Sequence, residues 1–256
     1  MYNHPYLKLG LRKRKPETKT CKLANYFSST LPAAPASVDW QAKAEDEIQL
    51  FENDKIGDCA VAGFFHYLET QSANAGDLVQ YTDQDAEALY SAAGGYNPAI
   101  PDTDNGLVLV DFLNYLMTTG YKGNRIVAHA EVNFRNPAEL KVAEFLFGGL
   151  YWGFNLPLAT QNMGSIWDTP SPGNPDSAVA GSWGGHCVNS TAYDATGQHV
   201  VTSWGSRITV TPAFIAAYAD ECHVIVTNQW FTTSGLSPSG FNLSQLIADL
   251  NSGVFC

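Results

Sequence analysis

Several features are missing from this sequence, and each absence narrows what the chain can be. No apolar run approaches the ~18 residues a membrane-crossing helix needs; the longest, residues 145–154, is broken by glycines. Charged residues make up only 15% of the chain, against 45% hydrophobic ones, which excludes a disordered polymer. There is no internal repeat, and no collagen-like or heptad pattern. There is no C-x-x-C pair and no H-E-x-x-H motif, and the five cysteines (Cys21, Cys59, Cys187, Cys222, Cys256) are odd in number and scattered. That spacing signals neither a disulfide framework nor a zinc site. The dipeptides His186-Cys187 and Cys222-His223 offer only isolated ligands, so no metal and no other cofactor is expected. The basic N-terminus lacks the apolar stretch of a secretory signal. The sequons at Asn189 and Asn242 therefore carry little weight, and a reducing, cytoplasmic or virion-borne setting is expected.

Basic residues are also few, and they are unevenly placed. Fourteen bases against twenty-five acids give a net charge of −11. Residues 1–23 hold seven of the bases (Lys8, Arg12, Lys13, Arg14, Lys15, Lys19, Lys22) and one acid, Glu17, a net +6 that leaves −17 for the rest. A body that acidic repels phosphates, so nucleic acid is not expected as a partner except through the basic segment.

The 256 residues suit one large domain or two closely packed lobes. Residues 1–34 read as a basic, extended arm ending in a loop-like Ser/Pro/Ala run. It is short and poor in periodic apolar residues. It is therefore expected not to fill a cleft as an inhibitory segment but to reach an assembly partner or the acidic body. Residues 35–148 form a helical lobe with four helix signals. Asp58 caps the first, with Val61, Phe64, Phe65 and Leu68 at helical spacing. Thr82 opens the second, which ends before Gly94-Gly95. The third runs from about Leu107 to Thr119, and Asn136, Pro137 and Glu139 make a box-like start to the fourth. Residues 149–256 are β-rich, with strand-like runs at 149–158, 186–193, 198–204 and 223–231. One helix interrupts them from Thr211 to Asp220, and another is expected at residues 243–250. Helices first and strands second give an α+β chain whose lobes enclose a cleft.

Cys59 stands at the first turn of an amphipathic helix, where the helix dipole favours the nucleophilic thiolate. Without a partner, a cysteine at a helix start is more often a small buried hydrophobe. A thiolate nucleophile needs an imidazole partner, and His186, at the start of a strand after two glycines, is the candidate. His66, on the same helix as Cys59, reads as a core residue. Cys187 alternates away from His186 and reads as structural.

Five ordered motifs resemble the papain-like cysteine peptidases. Val38-Asp39-Trp40 is similar to the start of the mature enzymes, and Gly57-Asp58-Cys59-Ala60-Val61-Ala62 to their nucleophile helix. Asp104-Asn105-Gly106-Leu107 resembles the cleft-lining N-G-G segment. Gly185-His186-Cys187-Val188 resembles the histidine strand, and Thr202-Ser203-Trp204-Gly205 the N-S-W-G motif. The resemblance spans roughly residues 36–230 and implies a two-lobed papain-like fold, a Cys59–His186 pair and an oxyanion donor at Asn53. It places the imidazole-orienting group at Thr202 and substrate-lining positions at Asn105, Gly106, Gly185 and Trp204. Three positions depart from the family: Asn53 replaces Gln, Ala60 replaces Trp, and Thr202 replaces the orienting Asn. Asp58 beside the nucleophile should also raise its pKa. The implied activity is a thiol hydrolase of peptide bonds acting on a peptide or protein substrate. The departures keep a second reading open, a catalytically degenerate papain-fold binding or structural module such as a phage virion or assembly component.

Overall fold

The computed structural model describes residues 7–16, 20–25, 33–44, 48–171, 175–242, 244–245 and 247–248. The first helix, α1 (Cys59–Ala75), is buried along nearly its whole length and ends at Gly76, whose φ of 93° suits glycine. It approaches the sheet closely at Gly63, where an added Cβ would lie 3.2 Å from the Tyr151 ring and 3.5 Å from the Val188 backbone. Asp58 precedes α1 without making a side-chain cap bond. The second helix, α2 (Asp83–Gly94), opens with a full capping box between Thr82 and Asp85. The third, α3 (Leu109–Thr118), starts two residues later than its apolar pattern suggests, because Leu107 and Val108 pair as a strand. In α4 (Pro137–Phe147) Asn136 accepts from the Ala138 and Glu139 amides. The Glu139 carboxylate turns to the Asn133 N–H at 2.9 Å rather than completing a box. The short α5 (Pro212–Tyr218) stops where the next strand begins. The helix expected at 243–250 falls largely outside the described residues.

One mostly antiparallel sheet runs in the order β4 (Ile126–Glu131), β10 (Ala219–Thr227), β5 (Leu150–Leu156), β7 (Gly184–Tyr193), β8 (His199–Ser203), β9 (Ser206–Val210), β6 (Ile166–Trp167). Three two-residue strands flank it. The first, β1 (Leu11–Arg12), lies parallel to β3 (Leu107–Val108) and antiparallel to β7 at Gly185. The other, β2 (Val38–Asp39), pairs with the far end of β7. The strands β4 and β9 carry weak sequence signals. In β4 burial alternates, but alanines and His129 fill the positions after Ile126 and Val127. β9 opens with Ser206-Arg207.

Two apolar clusters result. Leu109, Phe112 and Leu113 of α3 and Leu89 and Tyr90 of α2 pack around α1. Leu140, Leu146 and Phe147 of α4 and Phe214 of α5 pack on the sheet with Trp152, Phe154 and Trp167. The structure is a mixed α+β fold with a large sheet, and α1 is wedged against β7. Among the described residues no helix is long and apolar enough to cross a membrane. Cys21 is disulfide-bonded. Cysteine spacing missed that bond, because pairing follows proximity in the fold, and the spacing therefore carries no argument about redox compartment.

Candidate active site

The wedge brings the first turn of α1 against the start of β7. Cys59 is buried, and its Sγ accepts from the Cys187 N–H at 3.4 Å. The Gly10 N–H also donates to it. Burial outweighs these donors and pushes the thiol up to about 12, with the Asp58 carboxyl adding to the rise. Asp58 is itself raised well above the usual carboxylate range by burial.

His186 is equally buried. Its Nε2 lies 2.8 Å from Ser203 Oγ, and the Trp204 ring stacks on the imidazole at 4.2 Å and 14°. Nδ1 is buried with no hydrogen-bond partner among the described residues. Burial holds the imidazole down at about 3, so the cleft contains a neutral thiol and a neutral imidazole.

The partner of the imidazole is Ser203, one residue beyond the position that motif spacing indicated. Thr202 sits opposite Asn189 in the β7–β8 ladder. Side chains alternate along a strand, so Thr202 shares a face with Cys187 and Asn189, while Ser203 shares one with His186. Trp204 and Gly205 then close a two-residue turn at φ 46° and 69°. Left-handed backbone is costly for a tryptophan, and it turns the ring back onto His186.

The cleft is not open. Contrary to the expectation from its composition, the N-terminal arm runs along it. Asn53 and Trp204 grip Lys8, through Lys8 N–H to Asn53 O at 3.3 Å and Trp204 Nε1–H to Lys8 O at 3.3 Å. Gly10 crosses Cys59, and its carbonyl accepts from the Leu107 N–H at 2.7 Å. The fit has no spare room. A Cβ on Gly106 would lie 1.9 Å from Gly10 O, and one on Gly185 would lie 2.3 Å from Leu11 O. The relevant pattern in the arm is not helical. Leu7, Leu9 and Leu11 recur every second residue, the period of an extended segment. Leu7 lines a cavity of about 380 Å³ with Trp167, Trp183 and Trp204, Leu9 packs on Gly184, and Leu11 packs on Gly153 and Gly185.

Of the remaining expected residues, Asn53 is buried and its Nδ2 donates to Ile56 O at 3.3 Å. Asn105 is exposed and turns away to donate to Asp102 O. Gly106 forms the cleft wall and Gly185 pairs with the arm. His66 packs on Phe51 at 4.8 Å in the helical core. The Cys187 side chain belongs to that same core, while its amide serves Cys59. Asp104 stands in the cleft-lining motif, which gave it no role of its own. It accepts from the Gly57 N–H at 2.9 Å and from Tyr90 O–H at 2.8 Å, and Tyr90 Oη in turn accepts from the Gly106 N–H at 2.7 Å. This relay fixes the loop before Cys59 to the cleft wall. Among the described residues no group of three or more His, Cys, Asp or Glu could hold a metal ion.

No family model and no curated protein sequence matches the chain. Solved structures do. Xylellain, a cysteine protease from Xylella fastidiosa, superimposes with a TM-score of 0.62 at 14% identity, covering 87% of this chain and 97% of its own. A digestive procathepsin L 3 of Tenebrio molitor larval midgut gives 0.56 at 15% identity over 87% and 77%. A procathepsin B of Trypanosoma congolense gives 0.57 at 9% identity over 89% of each chain. Sequence identity this low leaves the backbone as the common element, and the chain has the fold of the papain-like cysteine proteases.

Proposed function

We propose that the chain is a thiol hydrolase of peptide bonds, with Cys59 as nucleophile and His186 as proton carrier, and that the arm must leave the cleft before it acts. One observation carries the reading. A buried imidazole with an unpartnered Nδ1 stands next in sequence to the residue whose amide touches the nucleophile's sulfur. Ser203 and Trp204 hold the ring from its other side and face.

With Gly10 gone, water enters and the burial that keeps both groups neutral is relieved. The Cys59 S–H proton passes to His186 Nδ1, and the sulfur attacks the scissile carbonyl carbon. In this reading the Cys59 N–H at the start of α1 donates to the resulting oxyanion, joined by the Asn53 carboxamide once its Nδ2 leaves Ile56 O. Collapse breaks the C–N bond, the amine leaves with the proton from His186, and water hydrolyses the thioester to release acid and thiol. The test is cleavage of a generic fluorogenic peptide by the protein and by Cys59→Ala. Turnover that disappears in the variant supports the reading.

The arm as resident ligand favours a second reading, a papain-fold module that binds a peptide and cuts nothing. Under it, neither protein cleaves, and Cys59 stays unreactive even when the arm is displaced.

A further inference from the structure

The contacts of the arm beyond Leu11 describe a subsite that the catalytic pair does not explain. Arg14 Nη1 meets Glu131 Oε2 at 3.0 Å, and Lys15 Nζ meets Asp111 Oδ2 at 2.8 Å. These carboxylates come from different elements, Glu131 from the end of β4 and Asp111 from the first turn of α3. Adjacent cations of the arm are therefore received by two separate walls. Glu131 is held in place by Thr20 Oγ1 at 2.6 Å, and its carboxyl lies below the usual carboxylate range: hydrogen bonds from Thr20 and Arg14 and the Arg14 charge outweigh partial burial. It is a fixed anion at neutral pH. The surroundings repel anions, since the chain outside residues 1–23 carries −17.

The chain sense of the arm matters. As bound, it presents the Gly10 N–H to the sulfur and gives the Gly10 carbonyl to Leu107, so no carbonyl carbon is offered for attack. Reversing a strand in the same slot exchanges its N–H and C=O positions. A substrate that offers its carbonyl to Cys59 would therefore run opposite to the arm. Arg14 and Lys15 stand four and five residues after Gly10. In a substrate of opposite sense, the matching cations come four and five residues before the residue at the sulfur.

We infer that Asp111 and Glu131 form a cation-selecting subsite, and that the cleft takes peptides carrying Lys or Arg upstream of a leucine-like residue. This rests on the reading of the cleft as a peptide site, and its test does not need turnover.

The test uses the full chain with Cys59→Ala, which cannot cut, with Leu11→Asp, which loosens the arm's hold on the cleft, and with R14Q/K15Q, which removes the competing cations of the arm. Two fluorescein-labelled octapeptides are titrated by anisotropy, Lys-Arg-Gly-Gly-Leu-Gly-Ala-Ala and its Gln-Gln counterpart. The basic peptide should bind roughly tenfold more tightly at low salt, and the gap should shrink as salt screens the pairs. Asp111→Asn and Glu131→Gln should each narrow the gap while leaving the affinity of the Gln-Gln peptide unchanged, a control that also shows the cleft is intact. Equal affinities, a preference that survives both substitutions, or binding of neither peptide would overturn the inference. Failure of the unsubstituted-Cys59 chain to cleave a peptide, with the basic preference intact in this titration, would instead sink the hydrolase reading and leave the subsite standing.

Discussion

Replacing Leu11 by Asp should open the cleft. Leu11 is half-buried. A Cβ on Gly153 would meet its Cδ2 at 2.8 Å and Glu221 Cγ at 2.9 Å, so the leucine methyl and a buried glutamate share one glycine floor. Removing the apolar contact of a partly buried leucine costs about 1.5–2 kcal/mol. The new carboxylate would have to lose water beside Glu221, so the total reaches about 2–3 kcal/mol against the closed state. The main-chain pairs of Leu11 with Leu107 and Gly185 are lost on opening in wild type and variant alike, so they cancel from the comparison. At 1.4 kcal/mol per factor of ten, the open fraction should rise roughly thirty- to a hundred-fold. The assay is the rate of alkylation of Cys59 by iodoacetamide, followed by peptide mass. When opening and closing are fast, that rate is the open fraction times the intrinsic rate of the exposed thiol. An unchanged rate, with the variant folded by circular dichroism, would show that the arm does not guard Cys59.

Other outcomes follow from the same geometry. Ser203→Ala should lower kcat/KM about fivefold, the worth of ~1 kcal/mol in one buried hydrogen bond, whereas Thr202→Val should leave it nearly unchanged because Thr202 faces away from the ring. Gly185→Ala places a Cβ 2.3 Å from Leu11 O. Alkylation of Cys59 should speed up while peptide binding weakens, because the same wall receives both strands. His186 is held down at about 3 in the folded protein against ~6.5 when unfolded. The unfolded chain therefore takes up a proton first as pH falls, and stability present above pH ~6.5 is lost below it. In urea titrations, the stability difference between wild type and His186→Asn should shrink by about 1.4 kcal/mol per pH unit below pH ~6.5. A pH-independent difference would show that the imidazole is not buried neutral.

The sequence exposed the parts of this structure that depend on local chemistry. Thr82 with Asp85, and Asn136 with Pro137, mark helix starts because capping is a contact within three residues. Motif order put Cys59 at the start of a helix and His186 near the start of a strand, and α1 and β7 pack on each other. Ser203 was hidden because which of two neighbouring residues faces the imidazole depends on the β7–β8 register, which spacing does not encode. The strand β4 was hidden because its role is to pair with β10, so its alanines serve packing and not periodicity. The docking of the arm was legible only at period two, in Leu7, Leu9 and Leu11, and its ion pairs join residues about a hundred positions apart.

The most direct test of the Cys59–His186 site is labelling by a peptidyl epoxide, read by intact mass and peptide mapping, in wild type, Leu11→Asp, Cys59→Ala and His186→Ala. The expected result is one adduct per chain, located at Cys59. It should form slowly in wild type and faster in Leu11→Asp, be absent in Cys59→Ala, and be slowed at least tenfold (about 1.4 kcal/mol) in His186→Ala. No adduct in Leu11→Asp, or equal labelling with and without His186, would contradict it.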